Sequence, residues 1–314
     1  TTTNQIYNCS VDEPRIWDPT KVIVPQMYSG AAMGLARQNN YLFALSDTAL
    51  QGFFNAANAS GSPLTNVEPA VQQIGCASQQ SIGGTENTIF WVSTSVEGGN
   101  SVWRLDGTSS IKEIGNATIN RLVALEGSSL SSCLGHTLRI GGRYFYIISL
   151  ISASRTFVYD IDLEIWTEWT DTAGTGKWPI ISIARGSGST ILGQHISNGK
   201  VYNLLTSAPQ DESVSFPWIA RTRREDMDTI KRKFQSRLEL IGDVQSSTTN
   251  VDVTYSDDDY VTSSTARTFD MSLTRAYGYG WGQFRRRSFQ ASYTGANPMR
   301  AVGFEMDISL GEGY

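Results

Sequence analysis

The sequence predicts an all-β chain: a β-propeller followed by a C-terminal antiparallel module of the β-sandwich kind. Three observations predict it. Arg143–Trp169, RYFYIISLISASRTFVYDIDLEIWTEW, reads as three consecutive antiparallel strands, at Tyr144–Leu150, Arg155–Asp160 and Ile165–Trp169. Their period-two alternation between short turns is the pattern of half-buried strands. The same strand–turn–strand order recurs along the chain. Phe43, Phe90, Phe145 and Leu192 take equivalent places, spaced by 47, 55 and 47 residues. That period suits a blade of four short strands, each stacked on the next because one blade cannot bury both faces alone. After Pro209 the strands lengthen and alternate apolar with charged residues, as in Phe304, Met306, Ile308 and Leu310 against Glu305, Asp307 and Ser309.

In chain order, Gln5–Ser10 opens as a strand, followed by a polar turn at Asp12-Glu13-Pro14 and the segment Arg15–Pro19. Ala32–Arg37, YLFALSD and ALQGFFNA form the first repeat, with Asn39-Asn40 as its tight turn. Asn55–Asn66 reads as an exposed loop. The second repeat begins with a strand at Cys76 and continues through TIFWVST, the turn Glu97-Gly98-Gly99-Asn100, and SVWRLDG. Ala117–Glu126 is the one helix expected: Ile119, Leu122, Val123 and Glu126 share a face, and Asn116 is placed to cap it. The third repeat is the Cys133–Trp169 region, with Gly141-Gly142 as a turn pair and the acidic turn Asp160–Glu164, where Asp can bond its own backbone. The fourth, weaker repeat runs from Ile180, and Asn198-Gly199 predicts a type I′ hairpin. Val214–Arg221 is expected to close the ring, and Arg223–Lys233 reads as a charged linker or short helix. The expected division is a propeller over residues 1–222 and a C-terminal β module over 223–314.

The chain has 314 residues, 29 glycines and a net charge of −5. Residues 1–212 carry 12 Lys/Arg against 17 Asp/Glu, and residues 213–314 carry 13 of each. A mildly acidic body gives no general electrostatic reason to coat itself in nucleic acid. No stretch reaches the roughly 18 apolar residues of a membrane span. Cys9, Cys76 and Cys133 match no zinc spacing and no disulfide framework; small buried thiols in a reducing compartment are expected. The chain opens at Thr1, inside what reads as a strand and without Met, so a preceding N-terminal portion is expected.

Residues suited to catalysis are scarce. His136 and His195 each sit in an apolar strand pattern and read as structural histidines. No nucleophile elbow, Walker or dinucleotide loop stands in a usable context. Gly278-Tyr279-Gly280-Trp281-Gly282 reads as a broad loop between strands, since no helix follows it. Ser256-Asp257-Asp258-Asp259 could hold a hard cation such as calcium or form a solvated hairpin tip; no catalytic, metal or cofactor residue is assigned. Two basic clusters stand out, one around Arg221, Arg223, Arg224, Lys231, Arg232, Lys233 and Arg237, the other Arg285-Arg286-Arg287. In an extended strand Arg285 and Arg287 would share a face and Arg286 would point opposite, to lie at a subunit interface, pair with a carboxylate or snorkel out of the core. Arg223, Arg224, Arg285, Arg286 and Arg287 are the candidate interface residues.

Several stretches resemble the tail-hub or nozzle proteins of short-tailed bacteriophages, also called packaged-DNA stabilisation or head-completion proteins. These are YNCSVDEPRIWDP with LARQNNYLFALSDTALQGFFNA, IGCASQQSIGGTENTIFWVSTSVEGGNSVWRLDG, and VTYSDDDYVTSSTARTF with GYGWGQFRRRSFQ. The chain departs from the family at Asp259-Tyr260, where the family has Gly-Gly, which puts the tight turn there in question. The resemblance implies a non-enzymatic virion protein of the tail, assembled in the host cytoplasm. It implies a homo-oligomeric ring below the portal and adaptor that retains the packaged genome and forms a channel for its ejection. The implied partners are the head-to-tail connector, the tail needle and the tailspike or fibre, with DNA passing the lumen without specific binding. Two other readings are a carbohydrate-binding propeller, with Trp103 or Trp178 stacking on sugars, and a propeller glycosidase, which needs paired carboxylates.

Overall fold

A computed structural model of the chain describes residues 4–10, 13–25, 30–94, 99–186, 191–205, 210–211 and 214–311. Asp12 of the first expected turn, and Glu97 and Gly98 of the later one, lie outside the described residues. The chain divides into two compact units, Thr1–Asp171 with Thr175–Leu204, and Thr172–Gly174 with Leu205–Tyr314.

The first unit begins with a hairpin of β1 (Ile6–Ser10) and β2 (Glu13–Ile23). Glu13–Pro19, expected as turn and connection, is therefore strand. Four sheets follow, each a meander of sequential antiparallel neighbours. Sheet one holds β3 (Ala32–Gln38), β4 (Tyr41–Ser46), β5 (Leu50–Asn55) and β6 (Leu64–Gln72); sheet two holds β7 (Gly83–Gly84), β8 (Thr88–Val92), β9 (Val102–Asp106) and β10 (Ser110–Glu113). Sheet three holds β11 (Leu134–Ile140), β12 (Arg143–Leu150), β13 (Arg155–Asp160) and β14 (Ile165–Trp169); sheet four holds β15 (Ile180–Arg185), β16 (Ile191–His195) and β17 (Val201–Asn203). This is the blade arrangement of a β-propeller. Two expectations shift. The exposed loop ends earlier, because Leu64–Gln72 pairs with β5. The second blade's first strand is only Gly83–Gly84, preceded by a 3-10 turn at Gln79–Ser81.

Alternation along each second strand sends successive residues into different cores. Ala44 packs with Ile6 and Phe53 against the first hairpin, while Phe43 and Leu45 pack with Ile89 and Trp91 between blades one and two. Phe90 and Val92 meet Tyr146, Ile148 and Leu150 between blades two and three, and Ile147 meets Ile191 between three and four. The middle strands are thus buried on both faces, where half-burial was expected: every residue of β8 and nearly every residue of β13 is buried. The fourth strand, β14, stays half-covered. Blade contacts are also stapled by polar bonds to main chain, the Tyr146 hydroxyl donating to the Ser81 carbonyl at 2.7 Å and the Ser78 hydroxyl to that of Cys133 at 2.8 Å. Gly135 permits this approach, since a Cβ there would lie 2.3 Å from the Ser81 carbonyl oxygen.

Local signals hold at several turns. Gly141 and Gly142, with φ of +57° and +87°, close the two-residue loop between Ile140 and Arg143, as positive φ at both positions requires. The Asp160 carboxylate accepts from the amides of Asp162 and Leu163, both at 3.0 Å. The helix α1 (Ala117–Leu125) starts where Asn116 Oδ1 accepts from the Ile119 amide at 2.9 Å. Asn198-Gly199 is different. The His195 amide donates to the Lys200 carbonyl, so four residues form the loop, and of the two only Gly199 has positive φ.

The second unit contains β18 (Gln210–Asp211), β19 (Val214–Ser215), β20 (Pro217–Arg221), β21 (Lys233–Gly242), β22 (Asn250–Ser256), β23 (Arg267–Asp270), β24 (Ala276–Phe284), β25 (Ser288–Thr294) and β26 (Ala301–Leu310). The larger strands form two sheets, ordered β20-β25-β22-β23 and β24-β21-β26. Their shared core is Leu238, Leu240, Val251, Val253, Trp281, Phe289 and Ala291. Pro217–Arg221, expected to close the propeller ring, pairs with β25 instead. Segment 223–231 forms neither helix nor strand apart from a bridge at Glu225. The glycine-rich stretch 278–282, expected as a loop, lies within β24, whose pairing with β21 shifts register between Gln235 and Arg237.

Candidate interface site around the arginine run

Arg285 and Arg286 occupy a bend between β24 and β25, so the strand periodicity that would set Arg286 opposite Arg285 and Arg287 does not apply. Arg287 is the inward residue, 2% exposed. Its Nε and Nη2 donate to Asp257 Oδ1 and Oδ2 at 2.8 and 2.9 Å. Nη1 donates to the Trp281 carbonyl at 2.7 Å, and the guanidinium lies 3.8 Å from the Tyr255 ring centroid and 4.4 Å from that of Phe284. A bidentate carboxylate, a carbonyl and two aromatic faces are what a buried guanidinium needs to offset its lost hydration.

The two basic clusters form one site. Glu225 and Arg287 exchange backbone bonds, Glu225 N–H to the Arg287 carbonyl at 3.0 Å and the reverse at 3.1 Å. That bridge lays segment 223–231 along the arginine run. Arg223 pairs with Glu225, Arg224 with Asp259 at 2.9 Å, and Arg286 with Asp226 at 3.7 Å. Arg285 donates to the Ile230 carbonyl at 3.2 Å. Lys233 is fully buried, and its ammonium donates to the carbonyls of Thr229, Lys231 and Arg285 at 2.6, 3.2 and 2.9 Å. It clasps the linker to the run from beneath.

The acidic turn is consumed by separate partners. Asp257 takes Arg287 and Asp259 takes Arg224. Asp258 accepts from the Thr262 hydroxyl at 2.6 Å, the Thr262 amide at 2.8 Å and the Ser256 hydroxyl at 2.8 Å. These bonds, the Thr262 hydroxyl foremost, hold its pKa down at about 2. Asp259 and Tyr260 adopt φ of +60° and +66°, the left-handed conformation that Gly-Gly would take without strain. The Tyr260 hydroxyl donates to the carbonyls of Thr222 and Phe289 at 2.7 and 2.9 Å, anchoring the turn in spite of the strain. Tyr255 was not singled out from the sequence; Asp257 and Lys233 were, in the acidic turn and in a basic cluster, but not as partners of the arginine run. Tyr260, standing where the resembled family has glycine, was the available signal.

Elsewhere the candidate chemistry is structural. His136 Nε2 lies 2.9 Å from the Ile181 carbonyl, joining blades three and four, and burial lowers its pKa. His195 Nδ1 accepts from the amides of Ser197 and Asn198 in its loop. Burial pushes the Cys76 thiol up to about 11 and the Cys133 thiol up to about 12. Trp103 and Trp178 pack into inter-blade cores, Trp178 edge-on to Trp169 at 5.2 Å, and neither is an open platform for a sugar. Among the described residues no cluster of three or more His, Cys, Asp or Glu could hold a metal ion, and no helix is long and apolar enough to cross a membrane.

A family profile described as bacteriophage P22 Gp10, β-propeller, matches residues 5–207. No curated protein sequence matches the chain. Similar solved structures include TolB from Acinetobacter baumannii, 10% identical over 86% of this chain and 56% of that one, with a TM-score of 0.32. An exo-β-1,3-galactanase from Phanerochaete chrysosporium is 12% identical over 94% and 71%, with a TM-score of 0.26. PorZ from Porphyromonas gingivalis is 11% identical over 60% and 28%, with a TM-score of 0.29. The chain spans little more than half the length of TolB. The profile match takes in the first hairpin and all four blades, and the chain belongs to the phage-stabilisation family described by the bacteriophage P22 Gp10 β-propeller, a family of phage structural proteins.

Proposed function

We propose that the chain is a tail-hub or nozzle subunit. Copies of it form a ring below the portal and adaptor, retain the packaged genome and line the channel of its ejection. Membership of the phage-stabilisation family over the whole propeller carries this reading. The scaffold supports it: stacked blades with both faces of their middle strands buried make a stiff wall. The partners in this reading are the head-to-tail connector, the tail needle and the tailspike or fibre. The location is the virion tail, after assembly in the host cytoplasm, and the role is not enzymatic.

The chain's two parts play different roles in this proposal, a propeller and a C-terminal module. The pairing of Pro217–Arg221 with β25 favours a boundary nearer Leu204 than residue 222. Arg223, Arg224, Arg285 and Arg286 contribute to contacts between subunits, while Arg287 holds the module together. DNA passes without being gripped, because each fixed phosphate contact would add a barrier to its passage.

Electron microscopy of the purified chain tests the ring, and phage lacking the chain test genome retention. Rings, and heads that lose their DNA without the chain, are the expected results. DNA-filled infectious particles assembled without it would overturn the reading.

A further inference from the structure

The C-terminal module is open along one side. β20 and β26 are the outermost strands of their two sheets, and among the described residues neither has a ladder partner beyond the one already named. On the opposite side β23 and β24 follow each other in sequence and touch. Between β20 and β26 lies a cleft of about 310 Å³, lined by Trp218, Leu240, Phe289, Phe304 and Met306, with Glu225 and Arg287 also in its wall. That volume is at the lower end of the range for ligand sites, roughly 300–1,000 Å³.

Two further features indicate what fits. The outward backbone groups of β20 and β26 offer a template for an added strand. β26 is ten residues long, and Val302, 66% exposed, sits on its rim. Arg221 lies at the rim, its side chain beside its ladder partner Gln290 on the face of β20 opposite Trp218 and Ala220. Its Nε donates to Gln290 Oε1 at 2.6 Å and its guanidinium lies 5.2 Å from the Tyr260 ring centroid. Among the described residues it has no carboxylate partner, whereas Arg223, Arg224, Arg286 and Arg287 beside it each have one.

We propose that this cleft accepts an extended peptide segment of a partner protein, which adds as a strand between β20 and β26, buries alternate apolar side chains in the cleft, and sets a carboxylate from its outward face on Arg221. The site is independent of the ring reading and would stand if the chain were monomeric. The length of the open strands favours a peptide over a compact small molecule, because main-chain bonds along an edge supply the affinity and alternate pockets the selectivity.

The test uses a fluorescein-labelled nonapeptide of alternating valine and serine ending in glutamate, titrated with the full chain by fluorescence anisotropy. Saturable binding is expected. Arg221→Gln should weaken it about tenfold, and Ala220→Phe, at the exposed mouth, should abolish it; circular dichroism confirms that both variants are folded. The same peptide with alternate amides N-methylated should not bind. Equal binding of the N-methylated peptide, no effect of Arg221→Gln, or no binding up to millimolar peptide would each overturn the proposal. So would a dimer of the chain that Ala220→Phe dissolves, since a second copy would then occupy the cleft.

Discussion

Arg287 and Asp257 stand 30 residues apart and meet in a bidentate pair, one partner buried and the other 43% exposed at its side chain. The pair ties the bend after β24 to the end of β22, and so joins the arginine run to the acidic turn. Removing either charge has different consequences. Asp257→Asn leaves the buried guanidinium without a counter-charge and should cost about 3–5 kcal/mol. Arg287→Met leaves a carboxylate that can turn to water and should cost less. Urea denaturation of the three proteins checks the order; equal stability of Asp257→Asn and the parent would show that the pair contributes nothing.

Tyr260 holds a strained turn by its hydroxyl. Tyr260→Phe keeps the ring and the left-handed backbone but leaves the Thr222 and Phe289 carbonyls without that donor. A loss of about 1–2 kcal/mol is expected. Tyr260→Gly relaxes the backbone but loses both bonds and the ring. It should be less stable than Tyr260→Phe, and the reverse order would mean that strain outweighs anchoring.

The thiols should sort by burial. Cys76 and Cys133 are buried and raised to about 11 and about 12, so at pH 8 neither carries the nucleophilic thiolate. Iodoacetamide should label native protein at half-buried Cys9 alone, and all three positions only after unfolding. Mass spectrometry of tryptic peptides reads the result, and fast native labelling of Cys133 would contradict the blade-two and blade-three core.

His136 sets an acid-side limit on stability. Burial lowers its folded pKa below the ordinary value of 6.5. The unfolded chain therefore takes up the proton first. The contribution of neutral His136 is fully present above the ordinary pKa and is lost as pH falls below it. The melting temperature should drop from pH 7 to pH 5 more in the parent than in His136→Gln. Parallel curves would remove His136 as the cause.

Trp166 and Trp169 lie on opposite faces of β14, as their odd spacing requires, in different cores. Neither is fully buried, because β14 is the last strand of its sheet. Trp169→Ala should therefore cost about 2–3 kcal/mol, below the roughly 3–5 kcal/mol of a buried tryptophan. Calorimetry showing no loss would remove the contact with Trp178.

Much of this protein was legible in its sequence. Alternation fixed which residues of β8, β12 and β13 go to which face, since successive side chains of a strand must point opposite ways. Gly141-Gly142, Asp160 and Asn116 specified their turns and cap through bonds made within a few residues. The family resemblance was legible too, and the profile match agrees with it. Tertiary structure decided what covers each face. The middle strands are buried on both sides because blades stack on both, which no period reveals. It also decided that Arg287 turns inward, because the chain bends at 285–286 to meet Asp257. It gave Pro217–Arg221 to β25, a partner 69 residues away at Arg221–Gln290. Local patterns constrain a few dihedrals at a time. Strand partners and buried charges are settled by contacts between distant parts of the chain, where desolvation must be offset by whatever group the fold brings near.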